Sequence, residues 1–450
     1  MRTAALSVGL ATLLLGVAAP MRAQILDARR VGMGGLSLQR DGNLRRYNPA
    51  YQAVPARTGG AGPKATIPIP LGLIQFFHDH PISQLGHDPA FSPDSSAFNA
   101  VELANTLLNL PIFLEVKKAP VPTNDVIFTI ARDTLIVDLG KAQQLVPADQ
   151  FGFGGSSRPL DLGLGVKGVQ AGVAGFLQYS VGFTLGDSLR TFLKQASPAH
   201  PNTPYTVLVD GIAQGGFAPQ ITYAGRIAGD SSQGFYLGGA VRYYVGVAYG
   251  HVIADTVGFT TGNPIFAGNN PVNPALAGTF SYSKAGNAFG HGVGGDVGVV
   301  WISGPLELGV GVNDIGATLT WSDTRIDHFV YDTATNKLVS TLVANHVTTK
   351  TKLPVSYVAN VAYVLNDRTT LGADILDRGR GTVIHVGGEQ RVGLFVVRGG
   401  VARDERKKVQ FGWGGGVRFG SFGLDVGFWT HSNSLSNVRG VTMATSLAIY

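Results

Sequence analysis

The chain has 450 residues, a formal net charge of +6 and no cysteine. The absence of cysteine excludes a disulfide framework, a thiolate metal site and a thiol nucleophile. Charged residues make up 14 % and glycines number 62, yet mean hydropathy is positive at +0.16; an ordinary soluble domain carries ~25 % charged residues and about half this share of glycine. The charge is modest and the aromatics lie on alternating positions, which does not read as nucleic-acid binding.

At the start, Arg2, the apolar stretch Ala4–Ala19 and the site before Gln24 predict an export signal over 1–23. No later apolar run has the length of a membrane helix, so any spanning is by strands. Residues 24–60 lack strand alternation. They contain Gly32-Met33-Gly34-Gly35, Asp41-Gly42-Asn43 and Asn48-Pro49-Ala50. Ala65–Phe76 predicts a strand, although Pro68 and Pro70 suit only a strand end or bulge. Ser95–Asn109 predicts a helix with Phe98, Val101, Asn105 and Leu108 on one face and Pro111 as its stop. Val126–Asp138 predicts a small hairpin turning near Arg132-Asp133, and Asp187 a cap for a short helix over 188–195. His78-Asp79-His80 and His87 have metal-ligand residue types, but no further ligand spacing supports a metal.

From about residue 158 the chain alternates. In Phe235–Gly250, one parity carries Phe235, Leu237, Val241, Tyr243, Val245, Val247 and Tyr249. The other carries Tyr236, Gly238, Ala240, Arg242, Tyr244, Gly246 and Ala248. A greasy outer face against lipid and a small or polar face toward a lumen produce this pattern. The same grammar recurs at Leu160–Lys167, Val169–Leu185, Leu306–Asn313, Lys408–Phe419 and Phe422–Phe428. Tight turns at Lys167-Gly168, Ser303-Gly304-Pro305, Asn366-Asp367, Arg391-Val392 and Gly420-Ser421 alternate with longer connections. The fold class is therefore all-β: a transmembrane antiparallel β-barrel over 61–450 of about fourteen strands (12–16). Its long outer loops are expected at 78–157, 186–205, 251–290 and 317–352.

Several residues stand out on this wall. Arg226, Arg242, Glu307, Asp374, His385 and Arg398 project inward and form candidate polar contacts in the lumen. Gln214–Pro219 interrupts a strand with Gly215, Gly216 and Pro219, which hold the pleat and ladder poorly. Two readings stand: a strand that starts after Pro219, or a kink that opens the wall sideways. Gly163-x-Gly165-x-x-Gly168 and Gly290-x-Gly292-x-x-Gly295 match a dinucleotide fingerprint, but neither opens a helix in a βαβ unit. No cofactor is expected. No G-x-S-x-G elbow occurs, and the chain does not read as an enzyme.

The run from Gly32-Met33-Gly34-Gly35 through Asn43 to Asn48-Pro49-Ala50 resembles the opening of the FadL family of outer-membrane long-chain fatty-acid transporters. PorV-type secretion-associated and TraF-like barrels share it. The resemblance implies a hatch over 24–60 inside a fourteen-strand barrel, with Gly32, Gly34, Gly35, Asn43, Asn48, Pro49 and Ala50 carrying the match. It also implies a passive outer-membrane channel for hydrophobic molecules such as fatty acids. Its partners would be outer-membrane lipid and a hydrophobic small-molecule ligand. The alternative is a non-transporting secretion or envelope scaffold that binds a periplasmic or secreted protein. A physical argument stands beside the resemblance: fourteen strands enclose more space than their own side chains fill. Arg29, Arg30, Arg40, Arg45 and Arg46 have inward acids to meet at Asp161, Asp296, Glu307, Asp374, Glu389 and Asp425. The other reading of 24–60 is a periplasmic tail. Two departures from the family are the 78–157 insertion and Tyr450, which falls on the polar parity of its strand.

Overall fold

The computed structural model describes residues 27–38, 42–55, 65–69, 112–114, 127–131, 134–138, 146, 151–158, 161–166, 168–195, 198–263, 265, 272–283, 289–332, 334–335, 337–379, 381–404, 409–430 and 441–449. The expected signal, the helix over 95–109, His78, His80, His87 and Tyr450 lie outside the described residues, as does the side chain of Asn43.

The alternating stretches form strands β1 (Ala65–Ile69), β2 (Ile112–Leu114), β3 (Ile127–Ala131), β4 (Thr134–Asp138), β5 (Phe151–Ser157), β6 (Asp161–Val166) and β7 (Val169–Leu185). Next come β8 (Pro204–Gly229), β9 (Gln233–Thr261), β10 (Val272–Ser283), β11 (Gly290–Ser303), β12 (Leu306–Asp332) and β13 (Lys337–Lys352). The last seven are β14 (Ser356–Asn366), β15 (Thr369–Asp377), β16 (Thr382–Val392), β17 (Phe395–Arg403), β18 (Val409–Phe419), β19 (Phe422–Thr430) and β20 (Val441–Ile449). Among the described residues, three short helices accompany them: α1 (Ala28–Gly32), α2 (Gly42–Tyr47) and α3 (Asp187–Gln195), the last with Asp187 in its first turn.

Among the described residues, β3 and β4 pair only with each other, as a hairpin. The other segments make one eighteen-stranded antiparallel sheet that curls into a transmembrane barrel. Four passes are split in two. β5 and β6 share a flank of β7; β10 and β11 share a flank of β9; β13 and β14 share a flank of β12; β1 and β2 share a flank of β20. Counting each split pass once leaves fourteen among the described residues, inside the expected range.

The wall is uneven. A spanning strand needs about 9–11 residues. β15, β17, β19 and β20 have 9 each, whereas β8, β9 and β12 have 26, 29 and 27. One side of the barrel therefore stands well above the other, on the side of the long connections. This corrects the expected outer loops 251–290 and 317–352, which are largely strand; the connection between β7 and β8 carries the expected short helix, α3. The reason lies in the environment. Strand segments beyond the bilayer are wetted on both faces, so they lack the greasy parity that marks a lipid-facing strand. On β13, Leu338, Val339, Leu342 and Val343 are exposed on both parities.

At bilayer level the alternation holds, with Leu237, Val241, Tyr243, Val293, Val297 and Val310 on the exposed face. It is broken at bulges, among them one on β12 around Asp314 and one on β9 at Val247. The β8–β9 register shifts between Gly215 (opposite Ala248) and Gly216 (opposite Gly246), so Val247 is an extra residue. A bulge of one residue exchanges the faces beyond it. Tyr249, on the lipid parity in sequence, is consequently buried inside.

Arginine substitutions separate bilayer from crest. Val310→Arg is expected to cost about 2–4 kcal/mol in urea unfolding from lipid vesicles, as for a charge near the midplane of a barrel wall. Leu342→Arg, on the crest, should change stability by no more than about 0.5 kcal/mol, as surface substitutions do.

Candidate functional site

The lumen is filled in three layers. Along β9 they meet Gly238, Arg242 and Tyr249 in turn; along β12 they meet Gly311, Asp314 and Trp321.

The lowest layer is the N-terminal segment. Asp27 caps α1 by accepting from the Arg29 amide at 2.9 Å. The helix stops because Gly34 and Gly35 adopt φ of +70° and +94°, a region closed to most L-residues. Asn48 then does two things. Its Oδ1 accepts from the Ala50 amide at 3.0 Å and caps a 3₁₀ turn over Pro49–Gln52. Its Nδ2 donates to the carbonyls of Val299 and Val310, cross-strand partners on β11 and β12, at 3.0 and 3.1 Å. Pro49 suits the first helical position because no amide is needed there. The wall admits this backbone because it is bare: a Cβ at Gly238, Gly298, Gly311, Gly400, Gly412 or Gly427 would strike the segment.

Charges fasten the segment. Arg29 makes a two-pronged contact with Glu389, Nη2 to Oε1 at 2.7 Å and Nε to Oε2 at 3.0 Å. Arg398 joins Glu389 at 3.2 Å and Asp425 at 2.7 Å. Two guanidinium groups thus face two carboxylates, all buried. Asp374 accepts from the Ser37 amide at 2.9 Å and meets His385 Nδ1 at 2.5 Å. Tyr51 accepts from Asn360 Nδ2 at 2.5 Å.

The middle layer is ionic. Arg158 reaches Asp296 at 2.9 and 3.0 Å, Asp314 at 2.8 Å and Asn313 at 3.0 Å. It also donates to the Arg46 carbonyl at 2.6 Å. Arg242 pairs with Asp296 and donates to Gln220 at 2.7 Å, and Gln220 donates to Asp161 at 2.7 Å. Tyr244 donates to Asp314 at 2.6 Å.

The upper layer is apolar and aromatic. Phe176, Ala218, Tyr244, Tyr249, Ala317, Leu319, Trp321 and Leu353 pack together. A hydrogen-bonded chain crosses it: Trp321 Nε1 to Thr351 at 3.0 Å, Thr351 to Gln214 at 2.6 Å, Gln214 to Gln178 at 2.5 Å. β8 and β13 are not ladder neighbours, so this chain draws the lumen closed.

The inward residues read from sequence separate into groups. Arg398, Asp374 and His385 meet the N-terminal segment or its partners, and Arg242 belongs to the middle layer. Glu307 is buried on β12, opposite Ile302 and Ala362. Arg226 corrects the expectation of a lumen contact. It is exposed at the short-turn end of β8, because the lumen parity there has run past the filled region. Nearby, the Ser232 hydroxyl, with the Gln233 and Ser232 amides, holds the Asp230 carboxyl below its usual range, and Arg226 adds to this. Of the other arginines, Arg30 donates to the Gly35 carbonyl and Arg45 is exposed. Arg45 and Arg46 line a polar cavity of about 480 Å³ with Gln52, Asp161 and Gln170. Sequence reasoning missed Arg158, Asp314 and the Trp321 chain. Arg158 stands where β5 gives way to β6, a break that alternation does not announce.

The strand containing Gly215, Gly216 and Pro219 is continuous from Pro204 to Gly229, so it does not start after Pro219. Toward β7 its ladder runs unbroken, with Pro219 opposite Val173. Toward β9 it carries the bulge, and Ala218 and Pro219 are skipped between the Phe217–Val245 and Gln220–Arg242 pairs.

No family model and no curated protein matches the chain. Among solved structures it is similar to a toluene transporter of Ralstonia pickettii, TbuX, at 11 % identity over 70 % of this chain and 95 % of that one, TM-score 0.32. It is also similar to a Pseudomonas aeruginosa FadL homologue at 12 % identity over 62 % and 74 %, TM-score 0.31. A third is the toluene transporter TodX of Pseudomonas putida, at 12 % identity over 68 % and 90 %, TM-score 0.30.

Buried and exposed arginines should behave oppositely. Arg398→Met leaves Glu389 and Asp425 short of a partner and is expected to cost roughly 3–5 kcal/mol in chemical unfolding. Arg226→Met should stay within about 0.5 kcal/mol of the parent protein.

Proposed function

We propose that the protein is an outer-membrane channel for the passive uptake of hydrophobic molecules, long-chain fatty acids among them. One observation carries this reading: an aromatic, apolar layer lies above a buried ionic layer and beside the irregular β8–β9 ladder. A hydrophobic solute arriving from the tall side of the wall is welcome in the upper layer. The four charges below it, on Arg158, Arg242, Asp296 and Asp314, oppose further axial descent. The lateral direction offers Ala218 inside and Phe217 and Pro219 facing lipid, at a point where the ladder is already short of bonds. Gly215, Gly216 and Pro219 are the proposed gate. In this reading the N-terminal segment is a hatch that keeps the barrel from leaking.

A second reading, a scaffold that binds a periplasmic or secreted protein, draws on β13. Among the described residues this strand pairs only with β12, which leaves its other flank as an edge for an added strand.

Vesicles that contain the purified protein and a trapped fatty-acid reporter test the channel. The parent protein should accelerate uptake over empty vesicles. Gly215→Val combined with Pro219→Val, by filling the bare wall at 215 and supplying an amide at 219, should bring uptake back to the empty-vesicle rate. Unchanged uptake in the folded double variant removes the gate. No uptake by the parent protein removes the channel and leaves the scaffold. For the hatch, Ala50→Cys should resist a bulky maleimide in the folded barrel, while Arg45→Cys should react; rapid labelling at position 50 refutes it.

A further inference from the structure

Trp321 is fully buried, yet its surroundings resemble a binding site more than a core. The indole lies across two neighbouring strands. Gly290 on β11 is its register partner, and Gly290 is itself opposite Gly246 on β9. A Cβ on Gly290 would come within 2.7 Å of the indole, and one on Gly246 would strike it as well. The two glycines therefore form a flat floor. Tyr249 stacks on the ring, with centroids 5.4 Å apart and planes 27° apart, and it reaches the lumen only because of the bulge at Val247. One polar contact completes the site: Nε1 donates to Thr351 at 3.0 Å. Thr351 in turn donates to Gln214, and Gln214 to Gln178, so the acceptor is held in place from the far side of the lumen.

A flat floor, a stacking ring and one oriented acceptor define a ligand chemistry, and the tryptophan side chain satisfies it. Ten residues of β12 separate Trp321 from Gly311, where the N-terminal segment touches the wall. At ~3.3 Å per residue that is about 33 Å of strand. The tryptophan is therefore a closure in its own right, independent of the segment below.

We propose that the Trp321 indole is an internal stand-in for the solute. A flat aromatic ring carrying one hydrogen-bond donor displaces it from the Gly246–Gly290 floor and takes its place on Tyr249 and Thr351. This rests on the channel reading for its purpose and deepens it by naming the solute class: neutral aromatics with a hydroxyl or ring N–H, favoured over plain hydrocarbons. Displacing the indole also breaks the chain to Gln178 and reopens the lumen beside the β8–β9 bulge.

The test uses the full chain in detergent with Trp301, Trp413 and Trp429 replaced by Phe, so that Trp321 is the single fluorophore. Phenol should shift its emission to longer wavelength with saturation. Toluene, which lacks the donor, should need roughly three- to tenfold higher concentration, the discrimination one hydrogen bond provides. Hexane should do nothing. In Trp321→Ala, made in the otherwise unaltered chain, added indole should bind the vacated floor and raise the melting temperature, and phenol should bind more tightly than to the parent protein because nothing competes. Emission unmoved by phenol overturns the proposal, as does an equal response to phenol, toluene and hexane. So does the same shift in a variant that keeps only Trp413, or a Trp321→Ala protein that binds neither ring. Binding here without uptake into vesicles sinks the channel reading alone; uptake without binding here sinks this site alone.

Discussion

A wide barrel must be filled. With fourteen passes the circumference is set by the backbone ladder, and the enclosed space exceeds what the wall's own side chains occupy. The glycines that line the inner face widen it further. The N-terminal segment lies against the inner wall, and the bare wall is what makes that possible. At Gly298 the place of a side chain is taken by the Asn48 amide, and at Gly400 by the Met33 carbonyl. Each strand gives up side-chain packing so that a second backbone can lie against it. The exchange leaves polar backbone groups in a dry interior. Asn48 answers this by capping its own turn with one amide atom while the other serves two wall carbonyls.

The same constraint explains why the buried charges come in closed sets. An unpaired ion inside a barrel wall costs several kcal/mol. Arg29 and Arg398 are matched by Glu389 and Asp425, and Arg158 and Arg242 by Asp296 and Asp314. The first set joins the segment to the wall. The second joins the break between β5 and β6 to β9, β11 and β12. Within each set every guanidinium has a carboxylate partner. The upper layer differs: its polar groups form a single chain and the rest is apolar.

Much of the wall was legible in sequence because lipid imposes a parity. Leu237 and Val241 face out and Arg242 and Tyr244 face in, as alternation requires. The hairpin at 127–138 was legible because two β-branched runs flank a charged turn. Parity fails where its cause is missing. The crest strands β10 and β13 stand in water, so their alternation is mixed and they read as loops. The Val247 bulge is silent, since one extra residue in a Gly- and Ala-rich stretch alters no composition, yet it carries Tyr249 from lipid to lumen. The individual inward acids and arginines could be named from parity, but their partners could not: Arg29 meets Glu389 360 positions away, a choice made by the closure of the barrel. Asn48-Pro49-Ala50 was conspicuous as a motif, while the two carbonyls it serves have no side-chain signature at all.

For a channel of the proposed kind, the relative cost of two exits decides the route. Axial passage must displace the N-terminal segment and the ionic layer. Removing one partner from a buried ion pair costs about 3–5 kcal/mol, and both charge sets lie on that path. Sideways passage must part β8 from β9 over a few residues. Each backbone hydrogen bond lost in lipid is also expensive, at several kcal/mol. At Ala218 and Pro219, however, pairing with β9 is already absent, and a proline has no amide to leave unsatisfied. The bulge at Val247 thus serves both ends of the problem. It turns Tyr249 inward to build the aromatic layer, and it loosens the wall one strand away. A regular ladder at this level would give neither the stacking ring nor the weak seam, which ties the binding chemistry of the upper layer to the direction of release.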